Sequence, residues 1–181
     1  MIVVLDFLEI KEHICIPADT YREEAERWKF LDEANCYQYA ICLEKDILGA
    51  IMPGEIAGVS FSEDYMYTDE DLVYYVERDM ESLGMEIRPS TLEEKVTDKN
   101  SWKIAVMNVR VISMSGGYDF HFLRQNPKTG EWYQKFRGEQ HPVRTDANYN
   151  VINDPATACY EDYHYQLVGY YIIRKVEQKE P

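Results

Sequence analysis

Asn35-Cys36-Tyr37-Gln38-Tyr39-Ala40-Ile41-Cys42-Leu43 is the stretch on which the reading of this chain turns. Asn35 is a strong helix N-cap, because its side-chain oxygen accepts from a free backbone N–H of the first turn. Behind it, Cys36, Tyr39, Ala40 and Leu43 share one face at helical spacing. The spacing predicts a helix that starts at the cysteine itself. A thiol there feels the partial positive charge of the helix N-terminus, which favours the thiolate. The free N–H groups of the first turn can also hold an oxyanion beside the sulfur. A cysteine heading an apolar helix is also commonly a plain buried thiol, so its position alone does not make Cys36 a nucleophile.

A thiol nucleophile needs a base that later protonates the leaving group. His121 is the candidate, on a strand followed by a tight turn at Asn126-Pro127-Lys128-Thr129-Gly130. Tyr118, Phe120 and Phe122 share one face of that strand, with Asp119, His121 and Leu123 on the other. If the turn closes around Lys128-Thr129, Arg124 falls opposite Tyr133 and His121 opposite Phe136. Gln134 is then a diagonal neighbour of His121 on the same face, and its amide oxygen can orient the imidazole. Asp146 and Asp154 are electrostatically stronger acceptors, on a loop the sequence does not place. His13, His141 and His164 carry no partner signal. The histidines form no H-x-x-x-H or H-E-x-x-H pair, and Gly116-Gly117 lacks a phosphate-loop context, so neither a metal nor a cofactor is expected.

Elsewhere, Ile2 to Ile10 reads as a short strand, and the charged segment Asp19 to Asp32 as a surface helix or ordered arm. Pro53-Gly54 and Gly58 mark a loop. Thr68 to Gly84 is the clearest helix: Thr68 caps it, acids fill its first turn, Leu72, Val76, Met80 and Leu83 form its apolar stripe, and Gly84 ends it. After Pro89 the chain turns to strands, first Trp102 to Ser113 and finally Tyr165 to Val176. Helices first and an antiparallel sheet afterwards make an α+β domain. Residues 1–181 read as one domain, with 1–33 as an N-terminal extension.

The net charge of −14 argues against nucleic-acid binding, since phosphate contacts need Lys and Arg, and against an anionic membrane surface. An acidic mimic of nucleic acid is disfavoured, because the acids are spread rather than run together. The 15 tyrosines suit core edges and groove walls. Cys15, Cys36, Cys42 and Cys159 form no C-x-x-C pair and read as reduced thiols. With no basic n-region, no signal-peptide apolar run and no span-length apolar segment, a cytoplasmic protein is expected, unless a non-classical secretion or phage lysis route exports it.

Asn35-Cys-Tyr-Gln-Tyr-Ala40 followed by Pro53-Gly54 resembles bacterial and phage proteins that carry N-C-Y-x-Y-A and then P-G. Asp119-Phe-His-Phe-Leu-Arg-Gln125, Gly130-Glu-Trp-Tyr-Gln-Lys135, Asn153-Asp-Pro155 and Val168-Gly-Tyr-Tyr171 are similar to their later motifs, in the same order. The plan resembles papain-like cysteine hydrolases, nearest the NlpC-type amidases and endopeptidases. The resemblance implies a papain-like fold, with N-terminal helices packed on an antiparallel β-sheet. It also implies a nucleophilic Cys36, a base at His121 and a third member at Gln134, where the related pattern has histidine. An oxyanion would be held by the Cys36 N–H and a neighbouring donor from Asn35 or Tyr37. The activity implied is cleavage of an amide or peptide bond in a peptide or protein substrate. The rival is a non-catalytic acidic protein on a hydrolase-like scaffold, with a protein partner such as a host enzyme it inhibits. A fully buried Cys36, or a sulfur beyond hydrogen-bond reach of His121, would favour that rival.

Overall fold

The computed structural model describes residues 7–45, 50–59, 67–109, 119–160 and 164–176. Among the described residues, four α-helices precede the sheet: α1 Phe7–Glu12, α2 Tyr21–Trp28, α3 Cys36–Ala40 and α4 Asp69–Leu83. The strands are β1 Met85–Ser90, β2 Ser101–Val109, β3 Phe120–Gln125, β4 Trp132–Gln134 and β5 Tyr165–Lys175. They form one antiparallel sheet in the order β1-β5-β2-β3-β4. The architecture is α+β.

Local signals set most of these elements. The Asn35 side chain accepts from the Gln38 N–H while the Gln38 side chain accepts from the Asn35 N–H, so α3 begins at Cys36. Thr68 and Asp71 form the same reciprocal box on α4, and Gly84 ends that helix with φ +67°. The α4 stripe Leu72, Val76, Met80 and Leu83 is buried. One expectation is corrected: residues 7–10, read as strand, belong to helix α1. Short apolar runs suit either state, and here Ile10 and Ile14 pack into the core beside α4. The other residues of that expected strand, the stretch 110–113 beyond β2, Tyr118 and the Gly116-Gly117 break lie outside the described residues.

β2 is central and buried along its whole length. One sheet face carries Trp102, Ile104, Val106, Phe120 and Phe122 against α3 and α4. The other carries Ala105, Met107, Leu123 and Trp132 against Ile152 and Tyr160. Burying each large side chain contributes about 1.5–3 kcal/mol, and the two faces together hold the sheet. The segment after α1 is built into this body. Trp28 of α2 is fully buried against Tyr39, and Glu24 pairs with Arg124 of β3, both side chains 2% exposed. The Arg124 guanidinium lies 4.0 Å from the centre of the Tyr39 ring and donates to the Tyr39 carbonyl at 2.9 Å.

The Pro53-Gly54 loop is fastened by Asp79 of α4. Its carboxylate accepts from the Tyr37 hydroxyl at 2.7 Å, the Gly54 N–H at 2.7 Å and the Ala57 N–H at 2.8 Å. Gly54 has φ +92°, and a Cβ there would come within 2.7 Å of the Tyr75 ring, so a side chain would be strained and crowded. At the far edge, the Gln134 N–H and carbonyl both pair with Val143 at 2.8 Å. No helix among the described residues is long and apolar enough to cross a membrane.

Candidate active site

Three elements meet at the site: the start of α3, the first half of β3 and the end of β4. The β3–β4 register pairs Leu123 with Gln134, Arg124 with Tyr133 and Gln125 with Trp132. Asn126 builds the turn, accepting from the Lys128 and Thr129 N–H groups through its side chain. This register puts Gln134 diagonally across from His121 on one face.

The two side chains are hydrogen bonded, His121 Nε2 to Gln134 Oε1 at 2.7 Å. The Gln134 amide has only one sensible orientation, because its nitrogen donates to the Thr145 carbonyl at 2.8 Å. The amide oxygen therefore faces the ring, Nε2 carries the proton, and Nδ1 is the basic nitrogen of the neutral imidazole. Burial pushes the His121 pKa down to about 4, against the opposing pull of the Gln134 bond. The ring stacks on Phe136, centroids 4.7 Å apart and planes 10° apart, and meets Tyr160 and Tyr165 at 5.5 Å each.

Cys36 sits at the capped start of α3 and is 8% exposed. Its thiol donates to the Phe120 carbonyl at 3.9 Å. The backbone N–H groups of Phe122, Tyr37 and Cys36 itself favour negative charge on the same sulfur. A carbonyl at one position and an N–H two positions later lie on the same edge of a strand. The sulfur therefore lies along the backbone edge of β3 at Phe120. At rest the thiol is protonated: burial pushes its pKa up to about 12, with Asp119 adding to the rise and the surrounding N–H groups opposing it. The thiol hydrogen bond runs to the Phe120 carbonyl and not to the imidazole.

Of the other sequence candidates, Asn35 is committed to capping and to the Ile51 carbonyl, to which its amide donates at 2.8 Å. Tyr37 contributes its backbone N–H near the sulfur, while its hydroxyl is held by Asp79. Asp146 accepts from the N–H groups of Asn148, Asn150 and Cys159, and Asp154 caps the turn Pro155–Thr157 and accepts from the Tyr170 hydroxyl. Neither is bonded to His121; Gln134 is. No group of three or more His, Cys, Asp or Glu among the described residues could hold a metal ion.

Three features carry no clear signal in the sequence. The aromatic box of Phe136, Tyr160 and Tyr165 is one; only Phe136 is readable there, as the residue opposite His121. The second is Lys135, fully buried, whose ammonium donates to the Ala34 carbonyl at 2.8 Å, just ahead of Asn35 and Cys36. The third is a cleft of about 410 Å³ whose walls include Gln134, Phe136, Asp146, Tyr149, Tyr160 and Tyr165. It adjoins the imidazole through the residues that pack around it. Neither Cys36 nor His121 lines that cleft; a cysteine at a helix start paired with an oriented base can, chemically, form and hydrolyse a thioester.

Compared with known proteins, the chain matches no family model, no curated protein and no solved structure.

Proposed function

We propose that the chain is a papain-like thiol hydrolase that cleaves an amide or peptide bond through Cys36, His121 and Gln134. The observation that carries this reading is the 2.7 Å bond between His121 Nε2 and Gln134 Oε1, with the Cys36 sulfur 3.9 Å from the carbonyl of the preceding residue, Phe120. In the reaction the thiol turns from the Phe120 carbonyl to Nδ1, which takes its proton. The sulfur attacks the substrate carbonyl, and the first-turn N–H groups of α3 hold the oxyanion. His121 passes the proton to the leaving amine, forming the thioester. Water, activated by the same nitrogen, then releases the acid and restores the thiol. Gln134 keeps the proton on Nε2 and so keeps Nδ1 basic.

A second reading is favoured by a specific observation. Cys36 is buried and protonated at rest, with its hydrogen bond spent on a carbonyl. That suits a non-catalytic acidic protein that binds a protein partner on the same scaffold. Labelling with iodoacetamide near neutral pH separates the two. The hydrolase reading expects Cys36 to be alkylated selectively and faster than a free thiol, with the advantage lost in His121→Ala. If Cys36 reacts no faster than a free thiol, the second reading holds.

A further inference from the structure

Cys42 follows the end of α3, Cys15 faces it across a short bridge, and the reaction proposed above uses neither. The antiparallel bridge Ile14–Leu43 aligns the two short segments, so Cys15 and Cys42 face each other. The Cys15 N–H donates to the Cys42 carbonyl at 3.0 Å, and its sulfur lies 3.3 Å from that same oxygen. Residues opposed on an antiparallel ladder have Cα atoms about 4.5–5.5 Å apart, inside the span that a disulfide bridges.

The surroundings of the two sulfurs differ. Cys42 is fully buried, and the Arg124 guanidinium donates to its sulfur at 2.6 Å. Cys15 is half-buried, and its thiol donates to Glu44 Oε1 at 2.6 Å. Cys42 also takes φ +57°, a conformation that a glycine adopts without strain. The residue just past the Ile41 cap of α3 thus carries a sulfur where a side chain is least comfortable.

We propose that Cys15 and Cys42 form a site of reversible oxidation, closing an intramolecular disulfide when the protein meets a hydroperoxide. Glu44 takes the Cys15 proton as the sulfur attacks the peroxide oxygen. The O–O bond breaks, leaving a sulfenic acid at Cys15, and the departing alkoxide (hydroxide from hydrogen peroxide) takes the proton back from Glu44 and leaves as an alcohol or water. The Cys42 sulfur, with Arg124 beside it, then attacks the sulfenic sulfur. The S–S bond forms, and the departing hydroxide takes up the proton lost from Cys42. In total, two thiols and one hydroperoxide give one disulfide, one alcohol and one water. Resting reactivity is low, because the neighbouring Cys42 sulfur, burial and Glu44 all hold the Cys15 thiol well above its ordinary pKa. The pair is therefore a stable dithiol that closes under oxidant load.

The test treats the full chain with hydrogen peroxide, blocks remaining thiols after unfolding, and maps the peptides by mass spectrometry. The expected result is a Cys15–Cys42 linked peptide within one chain, loss of two of the four titratable thiols, and recovery of both with dithiothreitol. Cys15→Ser should abolish the linked peptide and leave Cys42 alkylated. Recovery of both Cys15 and Cys42 as alkylated thiols from oxidised protein would overturn the proposal, as would their capture only in bridges between chains. The mapping of the unsubstituted chain decides the matter even if Cys15→Ser folds poorly.

Discussion

Gln134 is the residue on which the state of His121 depends. Replacing it by alanine leaves the Nε2 proton buried without an acceptor, which costs about 1–3 kcal/mol. Chemical denaturation of Gln134→Ala should show that loss as a lower midpoint at unchanged slope. Gln134→Glu places a carboxylate at the same distance and stabilises the imidazolium. The His121 titration, followed by NMR, should then move up from about 4. An unmoved titration would mean that the residue at 134 does not set the charge of the ring. This contact is legible in the sequence, because a tight turn fixes register and register fixes diagonal neighbours. The protonation of Cys36 is not. The helix start argues for a thiolate, yet burial against Phe120 and Phe122 outweighs the helix, and burial is set by residues some 85 positions away.

Among the elements, those with signals at both ends are readable and those without are not. The caps of α3 and α4 and the turn after β3 each announce themselves within a few residues. β1 does not: it contains Pro89 and two charged residues, and it is a strand because it lies at the sheet edge beside β5. α1 reads wrongly as strand for a related reason, since tertiary packing chooses between strand and helix for so short a run. Two substitutions test how the elements are tied. Asn35→Ala removes the α3 cap and the bond to Ile51, and thermal or denaturant unfolding should register a loss of about 1–2 kcal/mol. Glu24→Gln strips the charge partner from Arg124, fully buried between α2 and β3. Breaking a buried pair from one side costs about 3–5 kcal/mol, so this variant should unfold far earlier than one altered at an exposed pair such as Arg137–Glu33.

For the whole molecule, two buried groups tilt stability with pH in opposite directions. His121 has its folded pKa below its ordinary value, so its contribution is full above about 6.5 and is lost as pH falls toward about 4. Asp79 has its folded pKa raised from 3.8 to about 6, chiefly by burial, so its contribution is present at low pH and is lost as pH rises through that interval. Each amounts to about 3 kcal/mol across its window, and between pH 4 and 6 they largely offset one another. Asp79→Asn should expose the histidine alone. The stability of the variant relative to the unsubstituted chain should improve steadily as pH rises from 4 to 6, read from denaturant midpoints at each pH. A constant difference across that range would show that Asp79 does not titrate there.

The two ends of the sheet have a consequence for the company the protein keeps. An open antiparallel sheet normally presents a row of unpaired N–H and C=O groups at each side, and another copy can add to that row and start a fibre. Here one side is β4, three residues long, with its last residue already bonded to Val143. The other is β1, where Pro89 offers no N–H and Glu86 and Arg88 place charge along the rim. Growth strand by strand, copy upon copy, is thereby stopped at both margins by a short partner on one and a proline with charges on the other.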